Sequence, residues 1–205
     1  MKTALFVDVG GVLLTNGWDR GSRQMAAERF GLDWDEFQER HELVVSDFDT
    51  GRIGLEEYLD RTVFAEPRDF TRDTFKTFMW EQSRPYPEAL EFLAELAQSR
   101  KYLLATLNNE SRELNQYRIR RFHLTDYFTL FFSSCFLGVR KPDEKIYRLV
   151  LEVTQHSPGD CLFVDDRALN VECARRVGMR AIQYRNVAGL REELRRSEMT
   201  DHAGM

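Results

Sequence analysis

Asp8, Thr106, Lys141 and the pair Asp165-Asp166 are far apart in the chain, yet each ends or follows a short apolar run. Asn108 and Asn109 come just after Thr106, and Gly10-Gly11 just after Asp8. Carboxylate oxygens are the ligands a hard divalent cation such as magnesium takes. An ammonium and a hydroxyl are donors suited to phosphoryl oxygens. Gathered in one place, these groups would hold a metal ion and a phosphate together.

Gathering them is the task of the elements that carry them. Residues 3–8, 102–106, 130–133, 161–165 and 180–184 read as buried strands. Helical periodicity fills the intervals 88–98, 111–121, 143–154 and 168–177, and a last helix spans 187–196. Such alternation predicts an α/β fold, a doubly wound parallel sheet with right-handed crossovers. In open sheets of this kind the carboxyl ends of the strands line the ligand crevice, so all the polar strand ends should meet at one edge. Between the first strand and the rest, helical periodicity at 23–30, 35–45, 55–64 and 71–80 has no convincing strand among it. This segment is expected to be an inserted helical bundle. The organisation is therefore a core of 1–14 and 85–197, an insert of 15–84, and a polar tail at 198–205.

The 205 residues are 42% hydrophobic and 31% charged, ample for a core and unlike a disordered chain. A net charge of −5 has the wrong sign for a protein that chiefly binds nucleic acid or anionic membrane. No apolar run approaches the length of a membrane span, and Asp8 interrupts the one stretch that imitates a signal peptide. Cys135, Cys161 and Cys173 lack the spacing of a zinc site or a disulfide framework, which fits a reducing cytoplasm. No nucleic acid, membrane or protein partner is indicated, and a small phosphorylated metabolite is the expected ligand.

The strings Phe6-Val7-Asp8-Val9-Gly10-Gly11-Val12-Leu13, Thr106, Gly138-Val139-Arg140-Lys141-Pro142 and Phe163-Val164-Asp165-Asp166 occur in an order and at strand ends that resemble the haloacid dehalogenase-like superfamily of hydrolases. The resemblance is nearest to the branch of sugar-phosphate phosphatases with a DxGxV first motif and a small helical cap. It implies a sheet in the order 5-4-1-2-3. It also implies a magnesium-dependent phosphatase in which Asp8 attacks phosphorus to form an aspartyl-phosphate that water then hydrolyses. Anion attack on a dianion needs compensation, since each pair of unit charges repels by about 4 kcal/mol at ~4 Å and an effective dielectric near 20. By the same resemblance Asp8, the Gly10 carbonyl, Asp165 and Asp166 would surround the metal, with Asp165 acting through water. Thr106 and Lys141 would bind the phosphoryl oxygens, and Asn108 and Asn109 would meet substrate.

Position 10 departs from that pattern, because phosphatases of the superfamily commonly carry a second aspartate there as acid and base. Its loss removes an effect worth about 10² to 10⁴ in rate. An anomeric sugar oxygen leaves more readily than an ordinary alcohol, so a hexose 1-phosphate is chemically reasonable. Asp19, Asp47, Asp49 and Glu110 are the candidate replacements, and spacing does not choose among them. Two alternatives stand beside this reading: a 2-haloacid dehalogenase, disfavoured by the acidic pair, and a weakly catalytic binder of phosphorylated ligands.

In the insert, Trp18, Arg20, Arg23, Phe48 and Trp80 are the residues that could line a substrate pocket. The four histidines show no metal-ligand spacing and read as surface or packing residues. Arg118, Arg120 and Arg121, interspersed with acids, read as a solvated helix face.

Overall fold

Strand β1 (Thr3–Val7) is a run of residues buried on both sides: Ala4 and Phe6 join one apolar layer, Leu5 and Val7 the other. A continuous apolar strand of this kind belongs in the middle of a parallel sheet covered on both faces. In the computed structural model, which describes residues 2–203 and the side chains of 2–197, β1 is that central strand. It pairs in parallel with β2 (Tyr102–Asn108) and β4 (Cys161–Asp165), which are flanked by β3 (Leu130–Ser133) and β5 (Arg180–Gln183). The order β3-β2-β1-β4-β5 is the expected order read from the other edge.

Ten α-helices are described: α1 (Arg20–Phe30), α2 (Trp34–Asp49), α3 (Leu55–Thr62), α4 (Arg72–Glu81), α5 (Pro87–Ser99), α6 (Arg112–Arg121), α7 (Ser134–Leu137), α8 (Glu144–Thr154), α9 (Ala168–Arg176) and α10 (Val187–Ala203). One face of the sheet buries Ala89, Phe92 and Leu93 of α5 with Val187, Leu190 and Leu194 of α10. The other buries Ile146, Tyr147 and Val150 of α8 with Cys173 and Ala174 of α9. The three cysteines are buried free thiols. No helix among the described residues is long and apolar enough to cross a membrane. The tail expected at 198–205 falls on positions whose side chains lie outside the described residues.

Helices α1 to α4 enclose a separate aromatic core. Phe75, fully buried, has its ring centroid 5.7 Å from Trp18 and 4.9 Å from Phe30, and Phe48 stacks on Tyr58 at 4.1 Å. Aspartates cap two of the helices: Asp19 accepts from Ser22 N–H and Asp33 from Glu36 N–H. Leu114 of α6 is the point where this core meets the α/β core. Helix α2 runs four residues beyond its expected end because Phe37, His41, Val44 and Phe48 continue one buried stripe. That extra turn delivers Asp49 to the α/β core.

Two chain crossings join the units and lie side by side. Leu14 and Pro85 form an antiparallel bridge, Thr15 N–H donates to Arg84 O at 2.8 Å, and Tyr86 N–H donates to Leu13 O at 2.9 Å. A third tie forms at the end of α2, where Ser134 Oγ donates to Asp49 O at 2.6 Å and Arg140 pairs with Asp49 at 3.0 Å. Gly51, two residues after Asp49 and with φ of +71°, lies so close to α7 that a Cβ there would collide with Cys135 O. Left-handed backbone alone costs a non-glycine residue about 1–2 kcal/mol. Gly51→Ala is therefore expected to lower unfolding free energy by at least that amount, measured by urea denaturation; an unchanged midpoint would show that this junction yields freely.

Candidate active site

Asp8 follows β1 directly, and its N–H donates to Val164 O at 2.9 Å, which keeps the residue in line with the strand. Its Oδ1 accepts from Val9 N–H at 2.8 Å and lies 3.1 Å from Lys141 Nζ. Lys141, 2% exposed, spends its other donors on Asp165 Oδ2 at 2.6 Å and Leu107 O at 2.8 Å. Burial is the largest influence on Asp8 and raises its pKa; the neighbouring Asp165 adds to this, and Lys141 opposes it.

Asp165 and Asp166 are adjacent but differently employed. Asp165 is saturated, accepting from Lys141, Arg167 N–H and Asn170 Nδ2. Asp166 Oδ1 is buried without a hydrogen-bond partner among the described residues. Carboxylate oxygens of Asp8, Asp165 and Asp166 all lie within 4.8 Å of one another. Gly11, with φ of +75°, lies so close to Asp166 that a Cβ would overlap its carboxylate. Thr106, in register with Val7, buries a hydroxyl that also has no partner. Buried polar atoms are normally satisfied, so the free Asp166 oxygen within this carboxylate cluster is a place that suits a bound group. All-oxygen donors converging on one point fit a magnesium-type ion.

A cavity of about 550 Å³ opens over this edge. Asp8, Gly10, Asn109, Lys141 and Asp166 line its floor, and Trp18, Arg20, Arg23, His41, Phe48 and Asp49 its helical wall. Thr106, Asn108, Asp165 and Trp80 are not among the residues that line it; Thr106 and Asp165 are buried beneath its floor. Strand β2 is two residues longer than expected, so Asn108 is a strand residue, bonded to Asn115 and Ser133. Trp80 stacks on Tyr117 outside the cavity. Asn109 lines the cavity, but its amide is engaged by the Lys141 backbone, donating to its O and accepting from its N–H, each at 2.8 Å.

Two further expectations need correction. Arg118 is not on a solvated face: it is 2% exposed, donating to Thr15 O at 2.8 Å and Ser83 Oγ at 3.0 Å and pairing with Glu110 at 3.1 Å. Buried positions 111, 114, 115 and 118 form one stripe of α6, a signal masked by the surrounding charges. His41 is neither a surface residue nor mere packing. Trp18 Nε1 donates to Tyr58 Oη at 2.8 Å, and the same phenol oxygen lies 2.9 Å from His41 Nδ1, so the three side chains form one buried hydrogen-bonded set. His41 also lines the cavity. Arg23, also nearly buried, donates to Trp18 O and Gln38 Oε1 and has no ion pair among the described residues.

A sequence profile for haloacid dehalogenase-like hydrolases matches residues 2–178, and the chain belongs to that family. It is 34% identical over 175 residues to flavin mononucleotide hydrolase 1 of Arabidopsis thaliana, covering 80% of this chain and 66% of that protein. Over 71 residues it is 35% identical to bifunctional epoxide hydrolase 2 of Rattus norvegicus, covering 35% of this chain and 13% of that protein. The chain thus spans less than two thirds of the length of either relative. A HAD family enzyme from Bacteroides thetaiotaomicron, solved with magnesium and inorganic phosphate, shares the fold with a TM-score of 0.75 and 20% identity over 90% of this chain and 95% of that one.

Burial, with Arg23 and Arg140 nearby, pushes His41 down to about 3 from 6.5. The unfolded chain therefore takes up that proton first. Its effect on stability is absent well above pH 6.5 and grows as a loss below it, by up to about 1.4 kcal/mol per pH unit. Urea denaturation from pH 7.5 to pH 5 should show this loss in the wild type and less of it in His41→Asn; parallel curves would refute a neutral, buried His41. The comparison of variants matters because Asp49 and Glu110, both raised by burial, act with the opposite sign.

Proposed function

We propose that this protein is a magnesium-dependent phosphomonoesterase for a small phosphorylated metabolite, with a hexose 1-phosphate as the best-fitting substrate. The observation that carries the reading is the carboxylate cluster of Asp8, Asp165 and Asp166, with Asp166 Oδ1 unpaired and Lys141 against Asp8. Asp166, Asp8 and the Gly10 carbonyl would hold the ion directly, and Asp165, saturated by protein donors, would add negative charge and hold Lys141 in place of the water-mediated contact expected for it. When bound, magnesium supplies positive charge against the phosphoryl oxygens.

The chain's own residues do the rest. Asp8 attacks phosphorus through a carboxylate oxygen that Lys141 and the Val9 N–H orient, and an aspartyl-phosphate forms. Thr106 donates its unused hydroxyl to a phosphoryl oxygen, and Lys141 sets its charge beside the dianion. Asn109 fixes the Lys141 backbone, a positioning role in place of the substrate contact first expected for it. Residues 15–84 act as a cap that excludes bulk water and selects the leaving group. Arg23 offers donors, the His41 imidazole and Asp49 further polar contacts, and Trp18 an apolar wall, a mixture suited to sugar hydroxyls. A cavity of about 550 Å³ is large enough for a hexose phosphate. The buried thiols accord with work in a reducing cytoplasm.

A 2-haloacid substrate fits less well. Its carboxylate would face Asp8 and Asp166 without a phosphate's need for them.

Phosphate release from a panel of sugar phosphates, acyl phosphates and nucleotides, with magnesium or with chelator, tests this reading. Turnover should require the metal, favour 1-phosphates, and fall below about one thousandth of wild type in Asp8→Asn, comparable to losing a nucleophile elsewhere. Undiminished turnover in that variant, or halide release from 2-haloacids without metal, would overturn it.

A further inference from the structure

Four carboxylates could replace the acid missing from position 10, and their surroundings separate them. Asp19 lines the cavity from the helical side, but its Oδ1 is committed to capping α1. Asp47 pairs with Arg52 at the surface and does not line the cavity. Asp49 lines the helical wall and is tied to Arg140. Glu110 is different: it is 7% exposed, belongs to the α/β core and lines the cavity with Asp8 and Gly10.

Its link to position 10 is Arg118. Arg118 Nη1 lies 3.1 Å from Glu110 Oε2 and 3.6 Å from where a Cβ on Gly10 would stand. One guanidinium nitrogen thus reaches both the carboxylate present and the place where a side chain at position 10 would begin. Thr15 O and Ser83 Oγ hold that guanidinium from both crossings, so its position is fixed. Glu110 is itself held, its Oε1 accepting from Ser111 N–H and its backbone N–H donating to Ser134 Oγ, both at 3.0 Å.

We infer that Glu110, oriented by Arg118, is the general acid and base of this site. The assignment rests on the phosphomonoesterase reading above. In the first step the Glu110 carboxyl gives its proton to the ester oxygen as the bond from that oxygen to phosphorus breaks and the Asp8 oxygen bonds to phosphorus. In the second, the Glu110 carboxylate takes a proton from water as the water oxygen bonds to phosphorus and the Asp8 oxygen leaves. Phosphate departs, and both carboxyl groups return to their starting forms.

The groups facing Glu110 are Arg118 on α6, Asp49 on α2 and the Cys135 thiol on α7. Burial pushes Glu110 up to about 7, with Arg118 opposing and Asp49 adding. Both protonation states are then populated near neutral pH, as acid-base work at that pH requires.

The test compares wild type, Glu110→Gln and Asp49→Asn, each with magnesium, on a hexose 1-phosphate and on p-nitrophenyl phosphate, whose phenolate leaves without a proton. Glu110→Gln should reduce kcat/KM on the sugar ester at least about 100-fold while changing the aryl ester less than about 5-fold. The fall in sugar-ester turnover on the alkaline side of about pH 7 should vanish in that variant. Equal losses on both esters would mean a structural role and overturn the assignment, as would no loss, or the split appearing in Asp49→Asn instead. A wild type with no magnesium-dependent turnover on either ester would remove the phosphomonoesterase reading, and this assignment with it.

Discussion

The buried Lys141 ammonium is the interaction on which the site is built. It is bonded to Asp165, Leu107 O and Asp8, which joins β4, β2 and the end of β1 through one cation. Removing one member of a buried, hydrogen-bonded charge set leaves an uncompensated charge, which typically costs about 3–5 kcal/mol. The surrounding structure is consequently arranged to keep Lys141 in place. Asn109 clamps its backbone, and Asn170 and the Arg167 N–H saturate the carboxylate it binds.

This arrangement divides labour between two neighbouring aspartates. Asp165 is committed to the protein's own donors, whereas Asp166 keeps an oxygen free. A parallel sheet makes the division possible, because strand ends at one edge bring groups from distant parts of the chain within reach of each other. The glycine at position 11 then allows the β1 loop to pass close against Asp166.

A second charge set, Glu110 with Arg118, links the site to the crossings that carry the helical unit. Arg118 binds the outgoing crossing at Thr15 and the returning one at Ser83, while its carboxylate partner lines the cavity. The junction is thus fastened beside the cavity, and Asp49 with Arg140 fastens it again at the end of α2.

The apolar runs ending in Asp8, Thr106 and Asp165 were legible in the chain, as was the α/β alternation, because strand burial and helical periodicity are local patterns. Parallel order then required the polar strand ends to converge. The uses of Asn108, Arg118 and His41 were not legible. Whether an amide at a strand end faces a cavity depends on where that strand stops, and β2 stops two residues later than its apolar run suggested. Whether an arginine in a charged helix is solvated depends on a partner carboxylate and two carbonyl or hydroxyl acceptors from other segments. The hydrogen-bonded set that buries His41 is completed by a tryptophan and a tyrosine that are remote in sequence. Hydrogen bonds between distant segments leave no periodicity in a chain, so these assignments waited for the folded arrangement.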